Sequence, residues 1–540
     1  MYGKVTSACL HGVDGRLIEV EVDLSNGLPQ MNIVGLPDSA VKESIERVRA
    51  AIKNCGFTFP LQRITVNLAP ADIRKEGAAF DLAIALGILA TSGQIDKQSV
   101  ENTLIIGELS LDGSVRPVPG VLSMLEAALK HGIRQVIVPA GNAEEAGWIS
   151  GIEVRPESHL MGWSRIQATS VVRAHTYVVG TEQASACTFQ SKARGSVACQ
   201  YADEGTPSLD TEGEQPHQDD YADVSGQLHV KRALMISAAG MHNIILIGPP
   251  GTGKTMLAKR LPTILPPMNE QESLDVTKIY SVSGKFADRR QLVRQRPFRA
   301  PHHTISAAGL VGGGGVPKPG EISLAHRGVL FLDELPEFSR AALEVLRQPI
   351  EDRWVTIGRA KAVYRFPAHF LLAASMNPCP CGYLGSSDPS GSELCVCSPL
   401  KIAQYRSKVS GPLLDRIDLH VEVPKVPYNE LNTPIKPLSS AEMRACVEVA
   451  HGIQLERYRS SGYTFNSELS GRALREHCRL ELNAAKLLER SFTTLGLSVR
   501  SYDRIMKLSR TIADLDGAGE VQAQHVAEAL QYRSLDRKRG

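Results

Sequence analysis

The pattern of apolar and polar positions divides the chain into an α/β front part, a polar middle and a long carboxyl-terminal part. Within residues 1–163, stretches of strand-like alternation occur between stretches with the 3.6-residue period of amphipathic helices. The alternating stretches are residues 17–22 and 64–67, and the helical stretches are residues 39–55, 80–91 and 121–131. Strands that alternate with helices predict an α/β domain.

The rest of the chain changes character twice. Residues 164–223 show no period, and their stretch YADEGTPSLDTEGEQPHQDDYAD holds eight acids and no Lys or Arg. Such a composition is typical of a solvated linker. Residues 224–430 alternate between strand, loop and helix patterns, and residues 431–540 are mostly helical in pattern. Four segments are therefore expected: an α/β domain, an acidic flexible linker, a second α/β domain and a helical domain.

Composition adds few restrictions. Sixty Lys and Arg residues stand against 58 Asp and Glu residues, which argues against a protein that coats nucleic acid through bulk charge but leaves room for a locally basic channel. The first residues lack the apolar core of a signal peptide, and no segment approaches the roughly 20 apolar residues of a membrane span. Ten cysteines in such a chain are expected to be thiols or metal ligands. The expected location is the cytoplasm, without a membrane partner.

The strongest motif is a glycine-rich loop between an apolar stretch and a helical stretch. Residues 244–247 are apolar, residues 248–255 read GPPGTGKT, and MLAKRL follows. Glycines let successive backbone N–H groups turn toward phosphates, and the helix N-terminus adds positive potential. This order predicts a P-loop in which Lys254 reaches the β and γ phosphates of ATP and Thr255 holds Mg²⁺. The predicted ATP-binding residues are Gly248, Pro249, Pro250, Gly251, Thr252, Gly253, Lys254 and Thr255.

Two further apolar stretches end in polar residues that suit ATP hydrolysis. Residues 329–332 lead into Asp333 and Glu334, and residues 370–374 lead toward Asn377. An acid at the end of a buried strand beside a P-loop can hold Mg²⁺ through water, the Walker-B role predicted for Asp333. Glu334 is the predicted general base, and Asn377 is predicted to orient the attacking water. The alternative for the two acids is capping of the following helix.

A cluster of four cysteines follows directly. Cys379 and Cys381 form a CPC pair, and Cys395 and Cys397 form a CVC pair thirteen residues later. Four thiolates can satisfy one tetrahedral Zn²⁺, although one-residue gaps are tighter than the usual spacing. The hypothesis is a Zn²⁺ site that braces the neighbouring Asn377 loop. Free structural thiols and redox chemistry are the alternatives.

These motifs resemble the ComM/YifB family of magnesium-chelatase-like AAA+ proteins. GPPGTGKT, VLFLDELPEF, LLAASMNPCPCG and GPLLDRIDLHVEV occur in the family's order, and so do VSGQLHVKRAL, FRAPHHTISAAGLVGGG and PGEISLAHRGVLFLDE. The similarity covers almost the whole chain apart from the acidic linker. It implies an α/β fold in which a Lon-protease-like domain precedes an AAA+ ATPase core and a helical lid. It also implies ATP and Mg²⁺ as cofactors and a ring, with a homo-hexamer expected.

Two arginines are singled out by the family and its minichromosome-maintenance relatives. Arg416, in LLDRID, matches the finger that one subunit projects toward its neighbour's nucleotide. Arg500, in LSVRSYDRIMKLSR, matches the sensor-2 arginine of the lid. A surface ion pair is the alternative reading of each. A finger supplied by a neighbour implies that efficient hydrolysis needs a ring.

Candidate DNA contacts come from two insertions that point into the pore of related helicases. The first matches residues 299–318 and ends at Lys318, and the second is a predicted hairpin over residues 355–366 with Arg359 and Lys361 near its tip. Six copies of these cations would form a positive ring suited to a phosphate backbone without reading its sequence. Ordinary solvated hairpin charges are the alternative.

The front part resembles the proteolytic domain of Lon-type proteases, through residues 70–89 and 107–139. The active proteases carry a serine after a KDG-like turn and a lysine in a later helix. The matching positions here are Ala79 and Met124. Without a hydroxyl and an amine no acyl-transfer dyad can form. The domain is therefore expected to be a scaffold that helps ring assembly or binds DNA.

The resemblance implies one function and leaves two alternatives. The first is an ATP-driven motor on single-stranded and branched DNA, similar to the ComM branch-migration helicase, in homologous recombination during natural transformation. The second is a chelatase-type ATPase that serves Mg²⁺ insertion into a porphyrin. The third is a protein-remodelling ATPase. Stimulation of ATP hydrolysis by DNA distinguishes the first from the other two.

Overall fold

The computed structural model describes residues 1–164, 219–285, 292–314, 317–359, 362–385, 395–426 and 437–533. Its strands are β1 (Tyr2–His11), β2 (Asp14–Ser25), β3 (Gln30–Val34), β4 (Arg63–Ala69), β5 (Thr103–Ile105), β6 (Glu108–Leu109), β7 (Val115–Arg116), β8 (Gln135–Pro139), β9 (Glu153–Glu157), β10 (Ile244–Ile247), β11 (Phe298–Arg299), β12 (Gly312–Gly313), β13 (Lys318–Pro319), β14 (Val329–Leu332), β15 (Trp354–Arg359), β16 (Ala362–Pro367), β17 (Leu371–Met376) and β18 (Leu419–Glu422).

The α-helices divide among the same three regions. In chain order they are α1 (Ser39–Asn54), α2 (Asp81–Thr91), α3 (Val121–Lys130), α4 (Ala143–Ala146), α5 (Leu228–Gly240), α6 (Lys254–Lys259), α7 (Glu270–Ser283), α8 (Ala307–Val311), α9 (Glu321–Leu324), α10 (Arg340–Glu344), α11 (Arg347–Asp352), α12 (Pro399–Ser407), α13 (Gly411–Leu414), α14 (Ser440–Tyr458), α15 (Gly471–His477), α16 (Leu482–Leu495), α17 (Val499–Leu515) and α18 (Ala523–Gln531). In the described ranges, none of these helices is both long enough and apolar enough to cross a lipid bilayer.

The front domain is built on a seven-stranded mixed sheet with the order β3-β4-β2-β1-β5-β8-β9. β1 and β2 form a long antiparallel pair, and the β5, β8 and β9 side of the sheet is parallel. Every residue of α2 is buried, because this helix is apolar on all sides and lies inside the domain. The predicted helices at 39–55, 80–91 and 121–131 are confirmed as α1, α2 and α3.

The second α/β domain has a five-stranded sheet with the order β11-β14-β17-β10-β18. All four pairings in this sheet are parallel. The carboxyl ends of the strands therefore share one edge, and ligands of open α/β sheets bind at that edge. The predicted P-loop follows β10, Asp333 follows β14 and Asn377 follows β17, so the sheet brings all three motifs together.

The carboxyl-terminal helices pack onto this second domain through a shared hydrophobic core. Met443, Val447 and Ile505 of the helical region lie in one buried cluster with Leu234 of α5 and Leu246 of β10. The described end of the predicted linker joins the same cluster, since Tyr221 is fully buried. Its hydroxyl donates to the carbonyl of Leu257 at 2.7 Å, and its backbone N–H donates to Ser440 at 2.9 Å.

The apolar spacing of α16 predicted core packing for Leu482, Leu487, Leu488 and Leu495. Leu488 is buried, and Leu487 and Leu495 pack against the same core. Leu482 is 68% exposed, so the prediction is wrong for this residue. It precedes the buried Ala484 by two residues, which at roughly 100° per residue places its side chain on the opposite side of the helix.

Among the described residues, the front domain contacts the ATPase domain at β16 and at α7. His11 stacks on Tyr364 of β16 with ring centroids 4.8 Å apart. At the second place, the hydroxyl of Ser281 in α7 donates to Glu145 at 2.6 Å and accepts the backbone N–H of Gly120 at 3.0 Å. These groups are buried, so the contact is a satisfied polar seam inside the interface.

Candidate ATP-hydrolysis site

The glycine-rich loop has the backbone that phosphate binding requires. Gly251 and Gly253 have φ values of +77° and +82°, which side-chain-bearing residues rarely adopt. A Cβ on Gly248 would lie 2.2 Å from the carbonyl oxygen of Val423, where β18 ends. Helix α6 begins at Lys254, so its free N–H groups face the loop. The loop therefore has a backbone that can cradle phosphates and that larger residues at these positions would distort.

Lys254 lies at the centre of this loop. Its ammonium group donates to the carbonyls of Gly248 and Pro249, both at 2.8 Å, and to Oδ1 of Asn377 at 3.1 Å. Burial lowers the pKa of Lys254, while the charges of Asp333 and Glu334 act in the opposite direction. The amine is therefore held between the P-loop and the end of β17, where it can meet phosphate oxygens.

A chain of hydrogen bonds joins the P-loop helix to the ends of β14 and β17. Thr255 donates its hydroxyl to Oδ2 of Asp333 at 2.8 Å, and Ser375 donates to Oδ1 of the same carboxylate. The backbone N–H of Glu334 donates to the Ser375 hydroxyl at 3.1 Å. A hydroxyl and a carboxylate oxygen in contact form the hard oxygen donor set that Mg²⁺ prefers. Thr255 and Asp333 therefore fit the predicted Mg²⁺ site.

Ser375 is a site residue that sequence reasoning left without a role. It is a buried polar residue in an otherwise apolar strand. Buried hydroxyls are normally hydrogen-bonded, and that signal could have identified its partnership with a strand-end acid.

Glu334 lies at the edge of an open cleft next to these groups. Its backbone has a φ of +53°, an uncommon conformation for a residue other than glycine. The cleft has a volume of about 480 Å³ and is lined by Glu334, Glu337, Asn377, Pro380, Lys401, Gln404, Tyr405 and Lys408. An exposed carboxylate in such a cleft can accept a proton from an attacking water, as a general base requires.

The four cysteines form one compact cluster beside this cleft. Their sulfur atoms all lie within 4.8 Å of one another, and Cys379 Sγ is 3.3 Å from Cys381 Sγ and 3.7 Å from Cys395 Sγ. Four thiolates at roughly 2.3 Å from a tetrahedral Zn²⁺ stand about 3.8 Å apart. The donor set and spacing, completed by Cys397, therefore fit zinc. In the described residues, no other His, Cys, Asp and Glu group has such ligand spacing.

The cysteine loop also touches the P-loop. An added Cβ on Gly382, whose φ is +90°, would lie 2.7 Å from the ring of Pro250. On the other side, Arg406 of α12 donates to the carbonyl of Pro378 at 3.2 Å. A backbone N–H bond from Tyr383 is the main cause that lowers the pKa of Cys381 to about 6. Against the lowering effect of backbone hydrogen bonds, burial and the neighbouring thiols raise the pKa of Cys395 to about 11 and also raise that of Cys397. Thiolates at all four positions would therefore depend on the metal ion itself.

Arg416 is directed away from the P-loop of its own chain. It is 7% exposed, and its guanidinium donates to the carbonyls of Arg347 at 3.0 Å and Pro412 at 2.6 Å and pairs with Glu351 at 2.8 Å. Its carbonyl accepts from Asn243, which precedes β10, so Arg416 lies at the amino edge of the sheet. The P-loop lies at the opposite edge.

Arg500 is exposed in the first turn of α17. Within the described part of the chain it has no ion-pair or hydrogen-bond partner for its guanidinium. The structure therefore brings Lys254, Thr255, Asp333, Glu334 and Asn377 together and leaves Arg416 and Arg500 outside that group. The roles of all these residues in hydrolysis stay predictions.

The two predicted pore insertions lie next to each other. Arg359, at the end of β15, donates to the carbonyl of Gly314 at 2.7 Å. Lys318 is exposed on β13, and Lys361 lies outside the described residues. The hairpin β15–β16 buries one face, including Phe366, and exposes the other. Arg365 lies on the exposed face opposite Thr356. Sequence reasoning named Arg359 and Lys361 and missed this third cation of the hairpin, which the period of two could have found.

The site of the Lon-type dyad is filled by apolar side chains. Ala79 and Met124 are 8% and 2% exposed and belong to the same buried hydrophobic cluster, with Leu104 and Val136. The buried amine of Lys75 donates to the carbonyl of Pro70. Ala79 and Met124, which match the serine and lysine of the active proteases, therefore lie in one apolar core. Neither position supplies a hydroxyl or an amine.

A parallel sheet with a P-loop, a strand-end acid pair and a helical lid defines a P-loop ATPase of the AAA+ class. Comparisons with known families agree. The model described as magnesium chelatase, subunit ChlI, matches residues 220–431. The models for subunit ChlI of Mg-chelatase and for the ChlI C-terminal region match residues 20–142 and 437–533. ATP and Mg²⁺ are the cofactors that this class uses.

Individual relatives identify the family. The chain is 43% identical to the competence protein ComM of Haemophilus influenzae over 99% of this chain and 97% of that protein. It is 41% identical to the protein YifB of Escherichia coli over 97% and 96% of the two chains. The chain therefore belongs to the ComM/YifB family. A shorter similarity to Lon protease 2 of Bacillus subtilis has 29% identity over 28% of this chain and 30% of that one.

Proposed function

We propose that this chain is the subunit of a ring-shaped, ATP-driven motor that moves along single-stranded and branched DNA. In this proposal it works like the ComM branch-migration helicase, in homologous recombination during natural transformation. The observation that carries the proposal is the position of the hairpin arginines. Arg359 and Arg365 are exposed on a hairpin that is connected through β17 to Ser375 and Asn377 of the nucleotide site. The similarity to a competence protein over the whole chain supports it.

The hairpin can transmit changes at the nucleotide because its chain runs directly into the site. β16 ends at Pro367, and β17 begins four residues later and leads to Asn377, which contacts Lys254. A shift of Asn377 on loss of the γ-phosphate would therefore move the hairpin. In a ring of six subunits, Arg359, Arg365 and Lys318 would hold a phosphate backbone by charge alone, and Arg416 would complete the neighbour's site.

The experiment that tests the proposal is strand exchange on a synthetic four-way junction with one labelled arm. The proposal predicts that ATP drives release of the labelled duplex and that the Glu334→Gln variant does not. The double variant Arg359→Ala/Arg365→Ala is expected to keep ATP hydrolysis without DNA and to lose strand exchange. The exposed Arg490, on α16, provides a matched control, and Arg490→Ala should behave as wild type.

If the double variant catalysed strand exchange at the wild-type rate, the hairpin arginines would not be the residues that hold the DNA. Absence of strand exchange by the wild type on every junction would contradict the proposed motor and favour a protein or porphyrin-pathway substrate.

We also propose that Cys379, Cys381, Cys395 and Cys397 hold one structural Zn²⁺. The ion would brace the loop that lies between Asn377 and Pro250. Metal analysis of protein purified without chelator is expected to give one zinc per chain, and Cys381→Ser is expected to lower this content and the thermal stability. Protein with full ATP turnover and no zinc would contradict the proposal.

A further inference from the structure

The segment that carries Arg416 is tied to the two central strands of the ATPase sheet. Asn243, directly before β10, donates its side-chain amide to the carbonyl of Arg416 at 3.0 Å and its backbone N–H to Oδ2 of Asp418 at 3.0 Å. The side-chain oxygen of Asn243 accepts the N–H of Leu372, at the start of β17, at 2.9 Å. One asparagine thus joins the strand before the P-loop, the strand before Asn377 and the segment of Arg416.

The lid contacts the same segment through Arg504 and through Arg533. Nη1 of Arg533 donates to the carbonyls of Ile417 at 2.5 Å and Asp418 at 3.3 Å. Arg504 of α17 donates Nη1 to the carboxylate of Asp418 and to the carbonyl of Arg416 at 3.2 Å. Arg504 follows Arg500 by four residues, so the two side chains lie on one face of α17, one turn apart. Of these two, Arg504 is the one that belongs to α17, so its guanidinium joins the helix that carries Arg500 to the loop that carries Arg416.

The pair is buried, which makes it rigid. The side chains of Arg504 and Asp418 are 18% and 6% exposed. Burial alone would raise the pKa of Asp418, but the charge of Arg504 and the contact with His242 hold it well below its ordinary value. Removal of one partner from a buried ion pair leaves the other charge without compensation. Thermal motion that separates these two side chains is therefore strongly disfavoured.

We infer that Arg504 and Asp418 are positioning residues that hold the backbone of Arg416 and the first turn of α17 as one unit. In the assembled ring, the Arg416 guanidinium would exchange its contacts with Arg347, Pro412 and Glu351 for the nucleotide of a neighbouring subunit. The inference rests on the proposed ring, in which Arg416 completes the nucleotide site of the next chain. Movement of the lid would then change the position of the Arg416 segment relative to the nucleotide of the neighbouring subunit. The subunit's own Lys254 and Glu334 lie at the opposite edge of the sheet and are not touched by the pair.

The first readout is the division between kcat and KM. Arg504→Ala is expected to lower kcat for ATP by about tenfold to hundredfold, since displacement of a catalytic group by about 1 Å has effects of that size. KM for ATP should stay within twofold, because the P-loop is unchanged. Arg504→Lys keeps a positive charge beside Asp418 but replaces Nη1, which makes both contacts, by an ammonium group on a differently shaped side chain, so its kcat should be intermediate.

The decisive experiment mixes inactive subunits of full-length protein. Glu334→Gln subunits cannot hydrolyse ATP at their own site but keep Arg416. Arg416→Ala subunits keep an intact hydrolysis site but lack the arginine. Mixed rings of these two variants should regain ATP turnover, because the intact arginine reaches the intact site. Arg504→Ala mixed with Glu334→Gln should regain turnover in the same way. Lys254→Ala mixed with Glu334→Gln is the control and should stay inactive.

The outcomes of these mixtures distinguish a positioning role of Arg504 from a role in folding alone. If Arg416→Ala regains turnover in the mixture and neither Arg504→Ala nor Arg504→Lys does, Arg504 acts only on folding or on its own site, and the inference is overturned. Loss of ring assembly in both Arg504 variants, seen by size-exclusion chromatography, overturns it equally. If Arg416→Ala alone keeps wild-type turnover, the neighbour-directed role in the proposed function fails instead.

Discussion

The two α/β domains of this chain each have a sheet with packed helices, but they differ in the side chains found where the family resemblance expects chemistry. In the ATPase domain, apolar strands lead to Asp333 and Asn377, which contact Thr255 and Lys254 of the P-loop. Asn377 also lines an open cleft beside them. In the front domain, the places of the Lon-type dyad hold Ala79 and Met124, which pack inside a closed apolar cluster. A fold depends on the pattern of its buried apolar residues. A reaction depends on a few polar side chains, which in the ATPase domain lie at the ends of the strands.

The largest effects are expected in the ATPase domain. Glu334→Gln should lower ATP turnover by about 10²-fold or more and leave ATP binding intact, because it removes a base without changing the P-loop. Lys254→Ala should lose binding itself, since Lys254 is the charge that meets the phosphates. Turnover assays and binding of a fluorescent ATP analogue measure the two effects. Wild-type turnover in either variant would show that the site is elsewhere.

The next largest effect tests whether the positions that match the Lon-type dyad, Ala79 and Met124, are closed to water. Met124→Lys is expected to lower the free energy of unfolding by about 3 kcal/mol or more, because an unpaired amine would enter an apolar cluster. Urea denaturation of the full chain measures it. Met161→Lys is the matched control, since Met161 is 45% exposed, and should change stability little. Equal stability of the two variants would mean that the dyad site is open to water.

A smaller effect is expected at Ser375. Ser375→Ala removes the hydroxyl that donates to Asp333 and accepts from the N–H of Glu334, so the two acids lose a shared anchor. Turnover should fall by about tenfold, with a higher Mg²⁺ concentration needed for half-maximal rate. A Mg²⁺ titration of ATP hydrolysis gives both numbers. An unchanged midpoint for Mg²⁺ would remove Ser375 from the ion site.

The smallest effect is expected from returning only the hydroxyl to the front domain. Ala79→Ser should produce no peptidase activity, because Met124 supplies no amine to activate the serine. Labelling with a fluorophosphonate probe should stay at the wild-type background. Specific labelling of Ser at this position would contradict the view that the dyad site is chemically closed.

The sequence predicted the parts of the structure that are local in the chain. The P-loop, the strand-end acids and α1 to α3 follow from periodicity and spacing over fewer than 20 residues, and the structure agrees with the predicted elements. Arg416 and Arg500 emerged only through the family resemblance, because an isolated arginine carries no pattern. The bond between Arg504 and Asp418 joins residues 86 positions apart, and that between Asn243 and Asp418 spans 175. The periodicity of helices and strands cannot predict contacts between residues so far apart in the chain.

We propose that ATP hydrolysis in this chain serves movement on DNA. The most direct measurement is the steady-state rate of ATP hydrolysis with no DNA, single-stranded DNA, duplex DNA and a four-way junction, at one salt concentration. The account predicts stimulation by DNA, strongest with single strands or the junction, and loss of that stimulation in Arg359→Ala/Arg365→Ala. A rate that no DNA changes, measured on assembled rings, would contradict it.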